Sequence, residues 1–380
     1  MTETASKPFV HLHLHSEYSL LDGGNRLDKL VARVAELGMN AVAVTDHGNM
    51  HAAAQFYEAA RAKGIKPILG CEAYVAPGDR TDRTYTGVAD GGHHLVLLAE
   101  NETGWNNLME LGSEAYLTGF YFKPRMDREI LERLGDGLIA INGHLGSELA
   151  FHLVRYEQTK DKEHWENAVE VCEWHRKVFK PGPDGEPRFY VELQHHVAEQ
   201  IAINPHLIRM ARELDLPLVC DNDSHFLMAE DHDAHDTLVC ISLGKSKFDE
   251  ERQKMKYPTE LYVKSPEEMW DLFDTDRYNN KTIGDAGREA LLNTQRIADR
   301  CNVELPIGAN HAPVVIVKSP SKKDLPKHGD KAFGGDLSAW YTEYCSKFAL
   351  DPATDPDLEL AELKKDCDDA LRQLCEAGMV

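Results

Sequence analysis

Three histidines alternate with apolar residues near the beginning of the sequence. His11, His13 and His15 are separated by Leu12 and Leu14. Because alternate side chains of an extended strand point to the same face, this spacing puts the three imidazoles on one side. Several imidazoles on one face suit a divalent metal ion better than an ordinary core. The pattern therefore predicts a metal site at a strand end.

Other residue types that bind divalent ions lie beside later predicted strands. Together with two of these histidines they form a set of candidate metal ligands: His13, His15, Asp22, His47, Glu72, His94, His144, Asp223 and His225. Most follow the carboxyl end of a predicted strand, and in parallel barrels that rim carries the active site. The set exceeds what one ion needs, so we expect up to three ions that share carboxylates. Zn²⁺, Mn²⁺, Fe²⁺ or Mg²⁺ could each serve as the metal.

A centre of several ions is suited to the hydrolysis of phosphoesters. Neighbouring divalent ions lower the pKa of a water molecule, hold phosphoryl oxygens and neutralise charge on the leaving oxygen. A closed structural site would need only about four ligands. The excess of ligands therefore favours a catalytic centre.

The elements that must position these residues alternate between short apolar runs and helical patterns. The predicted strands are Phe9–His15, Asn40–Thr45, Lys66–Val75, His94–Ala99, Gly137–Asn142, Phe189–Leu193 and Leu218–Cys220. Predicted helices include Arg26–Leu37, Ala52–Lys63, Lys162–Phe179, Ala198–Leu214 and Asp285–Cys301. Strand–helix alternation predicts an α/β fold with a mostly parallel sheet. We expect a domain boundary at about 270–290, a loop or linker over Ile307–Asp336, and a charged helix over Leu358–Ala377.

The composition limits the class of protein. The chain of 380 residues has a net charge of −22 and is 42% hydrophobic. An acidic chain does not attract nucleic acid through its overall field, so a phosphate-bearing substrate needs a local positive centre. The 8 cysteines are scattered, with no C-x-x-C pair, which favours a reducing compartment. Met1–Pro8 lacks an apolar signal core, and no apolar run approaches the roughly 20 residues of a membrane span. We expect a cytoplasmic protein with no membrane partner.

Several motifs resemble the PHP (polymerase and histidinol phosphatase) superfamily, and most closely the PHP domain of bacterial replicative DNA polymerase III alpha subunits. The motifs shared with the superfamily are His13-x-His15-Ser16, Thr45-Asp46-His47-Gly48, Gly70-Cys71-Glu72, His94-Leu95-Val96-Leu97-Leu98-Ala99 and Asp223-x-His225. Segments that resemble the polymerase subunits in particular are His15–Gly23, Tyr121–Arg125, Glu192-Leu193-Gln194 and Asn293–Ala298. The resemblance covers about residues 8–305.

The resemblance implies a distorted (β/α)7 TIM-like barrel that holds up to three metals. It assigns His13, His15, Glu72 and Asp223 to the first ion. By the same resemblance, Glu72 would bridge to a second ion, completed by His94 and His144. Asp22, His47 and His225 would hold the third ion. One departure is His144, where replicative polymerases often carry Cys, although histidine remains a competent ligand. His93 is the alternative to its neighbour His94, which directly precedes the apolar strand.

Four further residues have an alternative interpretation. His11 is expected to support the ligands or to pack in the core, and it could also be a ligand. Asp46 could orient an imidazole or act as a general base, and it joins Asp22, His47 and Asp223 as a catalytic candidate. Lys123 and Arg125 could bind substrate phosphate or could simply be surface charges.

The resemblance implies a PHP domain over residues 1–280 and the incomplete start of a polymerase palm over 281–380. The polymerase catalytic aspartates are expected outside this chain, which would be a fragment or a short homologue. The leading hypothesis is 3′–5′ exonuclease proofreading during DNA replication, with DNA and other polymerase subunits as partners. The alternatives are a scaffold braced by metals and a free-standing phosphatase or pyrophosphatase.

Overall fold

The computed structural model describes residues 7–88, 91–253, 257–308, 315–321, 323–352 and 360–379. Its helices are α1 (Leu27–Glu36), α2 (Ala53–Ala62), α3 (Glu102–Leu117), α4 (Arg128–Leu134), α5 (Glu148–Thr159), α6 (Lys162–Val178), α7 (Ala198–Glu213), α8 (His232–Leu243), α9 (Glu250–Gln253), α10 (Pro266–Phe273), α11 (Ala286–Arg300), α12 (Leu337–Ser346) and α13 (Leu360–Gly378). Its strands are β1 (Ala41–Val44), β2 (Lys66–Val75), β3 (His93–Ala99), β4 (Arg125–Met126), β5 (Leu138–Asn142), β6 (Phe189–Leu193), β7 (Leu218–Cys220), β8 (Asn279–Asn280), β9 (Gly284–Asp285), β10 (Val315–Lys318) and β11 (Ala349–Pro352).

A curled sheet of 7 strands in the order β1-β2-β3-β5-β6-β7, with β4 beside β2, organises the first part of the chain. The β1–β2, β5–β6 and β6–β7 pairs are parallel, as the strand–helix alternation predicted. β3 is different, because it runs antiparallel to both β2 and β5. The α/β class is confirmed and matches a distorted barrel, but the sheet is mixed. The reversal puts the amino end of β3 at the same rim as the carboxyl ends of its parallel neighbours.

The segment that carries the first three histidines, predicted as the strand Phe9–His15, is not a regular strand. Its backbone bonds to both sides: the Ala43 N–H donates to the His11 carbonyl at 2.8 Å, and the His15 N–H donates to the Ser224 carbonyl at 2.9 Å. The ladder is interrupted because the Leu12 N–H donates instead to the Asp221 carboxylate at 2.6 Å. The segment therefore fills the gap between β1 and the residues after β7.

The strands bury apolar side chains on both faces. Val10, Leu12, Ile68 and Val219 belong to an inner cluster, which also takes in Ile297 from α11. A larger cluster packs the outer helices against the sheet. Burial on both faces is why the strands read as continuous apolar runs.

α11 ties its part of the chain to the sheet. The Asn293 amide donates to the Leu218 carbonyl at 2.7 Å, and the Val10 N–H donates to Thr294 Oγ1 at 3.0 Å. The chain divides into compact units Met1–Leu305 and Pro306–Val380. This division falls after the expected boundary at 270–290, because α11 packs on β7 rather than beginning a new unit.

The second unit contains an antiparallel pair, β10 with β11, and the helices α12 and α13. The loop predicted over Ile307–Asp336 therefore includes a short strand, β10. It was not predicted because the surrounding Pro, Lys and Gly residues are typical of loops. The helix predicted over Leu358–Ala377 is present from Leu360 to Gly378, and residues 358 and 359 lie outside the described part. Likewise, only residues 7 and 8 of the Met1–Pro8 segment are described. Within the described residues, no helix is both long enough and apolar enough to cross a membrane.

Candidate metal centre

The predicted ligands meet at one rim of the curled sheet, in an open cavity of about 480 Å³. Those that line the cavity are Asp22, His47, Glu72, His94, His144, Asp223 and His225. His13 and His15 lie beneath them and are fully buried. All nine candidates are therefore in one place, although they come from segments spread over more than half of the sequence.

Four side chains converge at the floor of the cavity. His13 Nε2 lies 3.4 Å from Glu72 Oε2 and 3.3 Å from Asp223 Oδ1. His15 Nε2 lies 3.0 Å and 3.2 Å from the same two oxygens. Two imidazole nitrogens and two carboxylate oxygens facing one point form a ligand set for one divalent ion.

The second oxygen of Glu72 faces a different pair of histidines. Glu72 Oε1 lies 2.8 Å from His94 Nδ1 and 3.5 Å from His144 Nε2. His94 reaches this place from the beginning of β3 because that strand is reversed. A carboxylate that offers one oxygen to each of two ligand groups has the arrangement of a bridging ligand.

A third group lies toward the mouth of the cavity. Asp22 Oδ2 is 3.4 Å from His47 Nε2 and 4.0 Å from His225 Nε2. His47 also brings Nδ1 to 2.8 Å from Glu72 Oε2, so this group is continuous with the others. Ligand atoms of His15, His47 and His225 lie within 4.8 Å of one another.

Hydrogen bonds behind the cluster fix which nitrogen of three histidines faces it. Nδ1 of His13 lies 3.2 Å from the Glu192 carboxylate, and Nδ1 of His225 lies 2.8 Å from the Asp223 carbonyl. Both oxygens can only accept while Glu192 is ionised, so each Nδ1 carries the proton. Ser19 Oγ donates to Asp46 at 2.7 Å and therefore accepts from His15 Nδ1 at 3.0 Å. All three imidazoles thus turn Nε2 toward the cluster, which is the nitrogen that would bind a metal ion.

Within the described residues, several buried ligand atoms of the cluster have no hydrogen-bond partner. They include His13 Nε2, His15 Nε2, His144 Nε2, Glu72 Oε2 and Asp223 Oδ1. Buried polar atoms normally have partners, because leaving one unpaired costs about 1–3 kcal/mol. Unpaired lone pairs aimed at one another are accounted for by divalent cations between them. The donor set and its geometry therefore fit divalent metals.

The histidines of the cluster differ in the direction of their pKa shifts. Burial alone would lower the pKa of His13, but the carboxylates of Asp223, Glu72 and Glu192 outweigh burial and raise it well above its usual range. Burial lowers the pKa of His144 to about 3, and burial with neighbouring His15 lowers that of His225 to about 4. The pKa of Glu72 is well below its usual range, because nearby imidazoles outweigh burial. Glu72 is therefore ionised and ready to bind a cation.

The backbone at Asp223 is left-handed, with φ of 50°. Such a conformation is uncommon for residues other than glycine, although Asp and Asn tolerate it best. It lets Asp223 turn its carboxylate toward His13 and His15 directly after β7. Strain of this kind is often found at functional sites.

Residues 11–196 match the family model described as the PHP domain. The chain carries a PHP domain. All nine candidate ligands lie within this match or in the adjoining part of the same compact unit.

The similarity to individual relatives covers more of the chain than the PHP family match does. The chain is 42% identical over 303 residues to DNA polymerase III subunit alpha of Treponema pallidum, which is 80% of this chain and 24% of that protein. It is 41% identical over 305 residues to the Thermus aquaticus subunit, which is 79% of this chain and 23% of that protein. The chain thus spans about a quarter of the length of these curated relatives.

The comparison with solved structures also finds a two-domain protein from Bacteroides vulgatus that contains a predicted PHP-like metal-dependent phosphoesterase. The TM-score is 0.34 at 12% identity, over 83% of this chain and 72% of that one.

Asp46, a catalytic candidate from the sequence, does not reach the cavity of the PHP domain. Its carboxylate accepts hydrogen bonds from the Ser16 N–H, the Ser16 hydroxyl and the Ser19 hydroxyl, each at 2.7 Å. Both oxygens are occupied, so the interpretation as a general base is wrong. Asp46 instead positions His15 through Ser19. His11 is also in a supporting place, with Nε2 at 2.9 Å from the Lys264 carbonyl.

The two basic candidates for phosphate binding differ. Lys123 lines the cavity, with Nζ 5.3 Å from the centre of the Tyr74 ring. Arg125 is buried, and its guanidinium donates to the carbonyls of Gly119, Arg80 and Asp82. The prediction that Arg125 binds substrate is therefore wrong. Its guanidinium is buried and donates its hydrogen bonds to backbone carbonyls of the neighbouring loops.

Sequence reasoning missed three residues that support the candidate ligands. Glu192 and Ser19 lie in motifs that carried the family resemblance, and their polar side chains beside predicted ligands were a usable signal. Tyr257 lines the cavity, and its hydroxyl donates to Asp22 Oδ2 at 2.8 Å. No local pattern marks Tyr257, which lies 235 positions from its partner.

Proposed function

We propose that this chain hydrolyses DNA phosphodiesters from the 3′ end, as the proofreading region of a replicative DNA polymerase. The proposal is supported by the PHP domain, by relatives that are DNA polymerase III alpha subunits, and by the chemistry of the cavity. Polymerisation itself would require parts of the longer relatives that lie outside the match.

One observation carries the hydrolytic part of the proposal. Glu72 divides its two oxygens between separate ligand groups in an open cavity, at 3.0 Å from His15 and 2.8 Å from His94. A purely structural ion needs one closed ligand set and no cavity. An open, shared carboxylate site suits a reaction that must admit a substrate.

We assign His13, His15, Glu72 and Asp223 to one ion. Glu72, His94 and His144 would hold a second, and Asp22, His47 and His225 a third. When bound, such ions acidify water and neutralise charge on phosphoryl oxygens. Zn²⁺, Mn²⁺, Fe²⁺ and Mg²⁺ are the candidates, and the imidazole-rich set favours the first three.

The chain's own residues supply binding and positioning. Lys123, at the cavity wall, would contact a phosphate oxygen and provide the local positive charge that an acidic protein needs. The Tyr257 hydroxyl holds the Asp22 carboxylate in place at the mouth. The side chains of Asp22, His47 and Asp223 line the cavity and are partly exposed, at 12%, 17% and 19%, so we propose them as the residues on which turnover depends.

The partners follow from the same proposal. The names of the relatives support DNA, presented as a primer 3′ end, and other subunits of a replicative polymerase. The cytoplasm is the location that goes with this role. The similarity to polymerase subunits over 80% of the chain weighs against a free-standing phosphatase.

The test is digestion of a single-stranded DNA oligonucleotide labelled at its 5′ end, with Mn²⁺ or Zn²⁺ supplied. The matched controls are Asp22→Asn and Asp223→Asn, which keep the side-chain shape but remove a ligand charge. A ladder that shortens from the 3′ end and disappears in both variants supports the proposal. Unchanged cleavage in a folded double variant contradicts it.

A scaffold role for the metals is favoured by one separate observation. His13 and His15 are fully buried and connect the Phe9–His15 segment to Asp223, after β7. Ions at this floor would brace the closure of the sheet. If metal raises the melting temperature but no DNA is cleaved by the folded, loaded chain, the scaffold role replaces hydrolysis.

A further inference from the structure

A tight turn beside the metal centre displays an aromatic side chain to solvent. Phe122 is 71% exposed and has φ of 61°, a left-handed backbone conformation. The Tyr121 N–H donates to the Lys123 carbonyl at 3.1 Å, so Phe122 is the apex of the turn. A large aromatic residue in this conformation is strained and is costly to expose.

The turn is held from below by a buried cation. Arg125 donates through Nε to the Gly119 carbonyl at 3.1 Å and through Nη2 to the carbonyls of Arg80 and Asp82. Its guanidinium also lies over the Tyr121 ring, 5.0 Å from the centre. The ring of Tyr121 in turn meets that of Phe122 edge to face, with centroids 4.5 Å apart. Phe122 is thus displayed on a rigid support, which reduces the ordering cost of binding.

The turn joins the exposed ring to the cavity. Lys123 follows Phe122 directly and lines the cavity, with its ammonium over Tyr74. The Tyr74 ring packs edge to face on the His94 ring, with centroids 4.9 Å apart. The turn is therefore connected through Tyr74 to one of the candidate metal ligands. A cation for phosphate and an aromatic ring for a base, on consecutive residues, are what single-stranded nucleic acid requires.

We propose that Phe122 stacks on an unpaired base of single-stranded DNA whose phosphate enters the cavity beside Lys123. The inference rests on the proposed function. It narrows the proposed substrate from DNA in general to single-stranded DNA. Stacking suits this chain because its net charge of −22 opposes binding through the overall field. Every base has a flat face, so the contact is tolerant of sequence, as a proofreading site needs.

The test measures binding rather than turnover, in the Asp22→Asn chain, so that no DNA is cleaved. The probe is a fluorescein-labelled oligothymidylate followed by fluorescence anisotropy. Phe122→Ala should raise the Kd about 5- to 150-fold, the range for loss of one stacked base. Phe122→Trp should bind at least as tightly as the parent. The control Leu117→Ala removes a neighbouring apolar side chain that is 82% exposed and should leave the Kd unchanged.

An abasic oligonucleotide of the same length separates stacking from other losses. The parent and Phe122→Ala should bind it equally weakly. The inference is overturned if Phe122→Ala binds oligothymidylate like the parent, as it would if Phe122 served a protein partner. It is also overturned if the parent binds no oligothymidylate, or if the loss is the same on the abasic strand.

The two proposals fail separately. If the unsubstituted chain cleaves no DNA but the base-dependent loss persists, hydrolysis is wrong and the stacking role stands. If the chain cleaves DNA and the base-dependent loss is absent, the stacking role is wrong and hydrolysis stands.

Discussion

The imidazole of His13 is oriented by a buried carboxylate that never faces the cavity. Glu192 is fully buried, and burial raises its pKa even though His13 opposes this. It also accepts from the Gln194 amide at 2.8 Å, which holds the carboxylate in place. Supporting groups of this kind set both the tautomer and the basicity of a ligand.

We expect Glu192→Gln to weaken metal binding by about 10-fold or more, the range for loss of such a partner. The amide keeps the shape but loses the negative charge behind His13. Calorimetric titration with Zn²⁺ or Mn²⁺ measures the change. Glu199→Gln, an exposed position on α7, is the control and should bind like the unsubstituted chain. Equal affinity in both variants would contradict the role given to Glu192.

Lys123 and Arg125 mark the limit of prediction at the residue scale. Their charges and their nearness in sequence made both candidates for phosphate binding. Only the fold decides that one lines the cavity and the other is buried under three carbonyls. The meeting of the nine candidate ligands in one cavity was predictable, because several imidazoles and carboxylates beside strand ends suit a shared site. Asp46 was misjudged because its partners Ser16 and Ser19 are brought to it by tertiary structure.

At the scale of elements, helices and strands were predicted closely where periodicity was strong. β2, β6 and β7 have the predicted bounds, and α7 ends within one residue of its predicted end. The reversal of β3 could not be predicted, because strand direction depends on the connections rather than on the apolar run. The Phe9–His15 segment was missed for a related reason, since its ladder is broken by the side chain of Asp221.

The start of α3 is packed against the turn before β5 with no room for a side chain. A Cβ at Gly104 would lie 1.8 Å from the Gly137 carbonyl oxygen. We expect Gly104→Ala to lower the free energy of unfolding by about 3 kcal/mol, the upper range for overpacking. Urea unfolding measures this change. Gly78→Ala, where a Cβ would meet nothing within 4 Å, should change the free energy by less than about 0.5 kcal/mol. Comparable losses in both variants would argue against a specific clash.

α6 buries a histidine that should make stability depend on pH. Burial lowers the pKa of His175 to about 4, compared with about 6.5 in an unfolded chain. Between these values the unfolded state binds more protons, so stability is lost as the pH falls.

Between pH 7 and pH 4.5, protonation of this histidine in the unfolded state should lower the free energy of unfolding by about 2 kcal/mol. The glutamine of His175→Gln does not titrate. The free energy of unfolding of this variant should therefore fall by about 2 kcal/mol less than that of the unsubstituted chain over the same pH range. Urea unfolding of both chains at the two pH values gives the difference, in which other groups cancel. Parallel loss of stability in the two chains would show that His175 is not the cause.

At the scale of the whole molecule, the metal centre joins the two ends of the curled sheet. His15 belongs to the segment beside β1, and Asp223 follows β7. Ions bound only by the folded chain stabilise it by about 2.7 kcal/mol per site when the free ion is at 100 times its Kd.

Removal of metal should therefore lower the melting temperature by roughly 5–10 °C, given about 2–4 °C per kcal/mol for domains of this size. Scanning calorimetry with and without a chelator measures the shift. Asp223→Asn tolerates the left-handed backbone but lacks a ligand charge, and its shift should be clearly smaller. An equal shift in both chains would mean that the chelator acts elsewhere.

The separation of His13 from Asp223 along the sequence sets when the centre can form during protein synthesis. The floor ligands are translated about 210 residues apart, and Val10 also needs Thr294 of α11. At roughly 5–20 residues per second, the early histidines wait about 10–40 seconds on the ribosome before Asp223 exists. Metal loading is therefore a late, post-assembly event, and nascent chains halted before residue 223 should carry no stoichiometric metal.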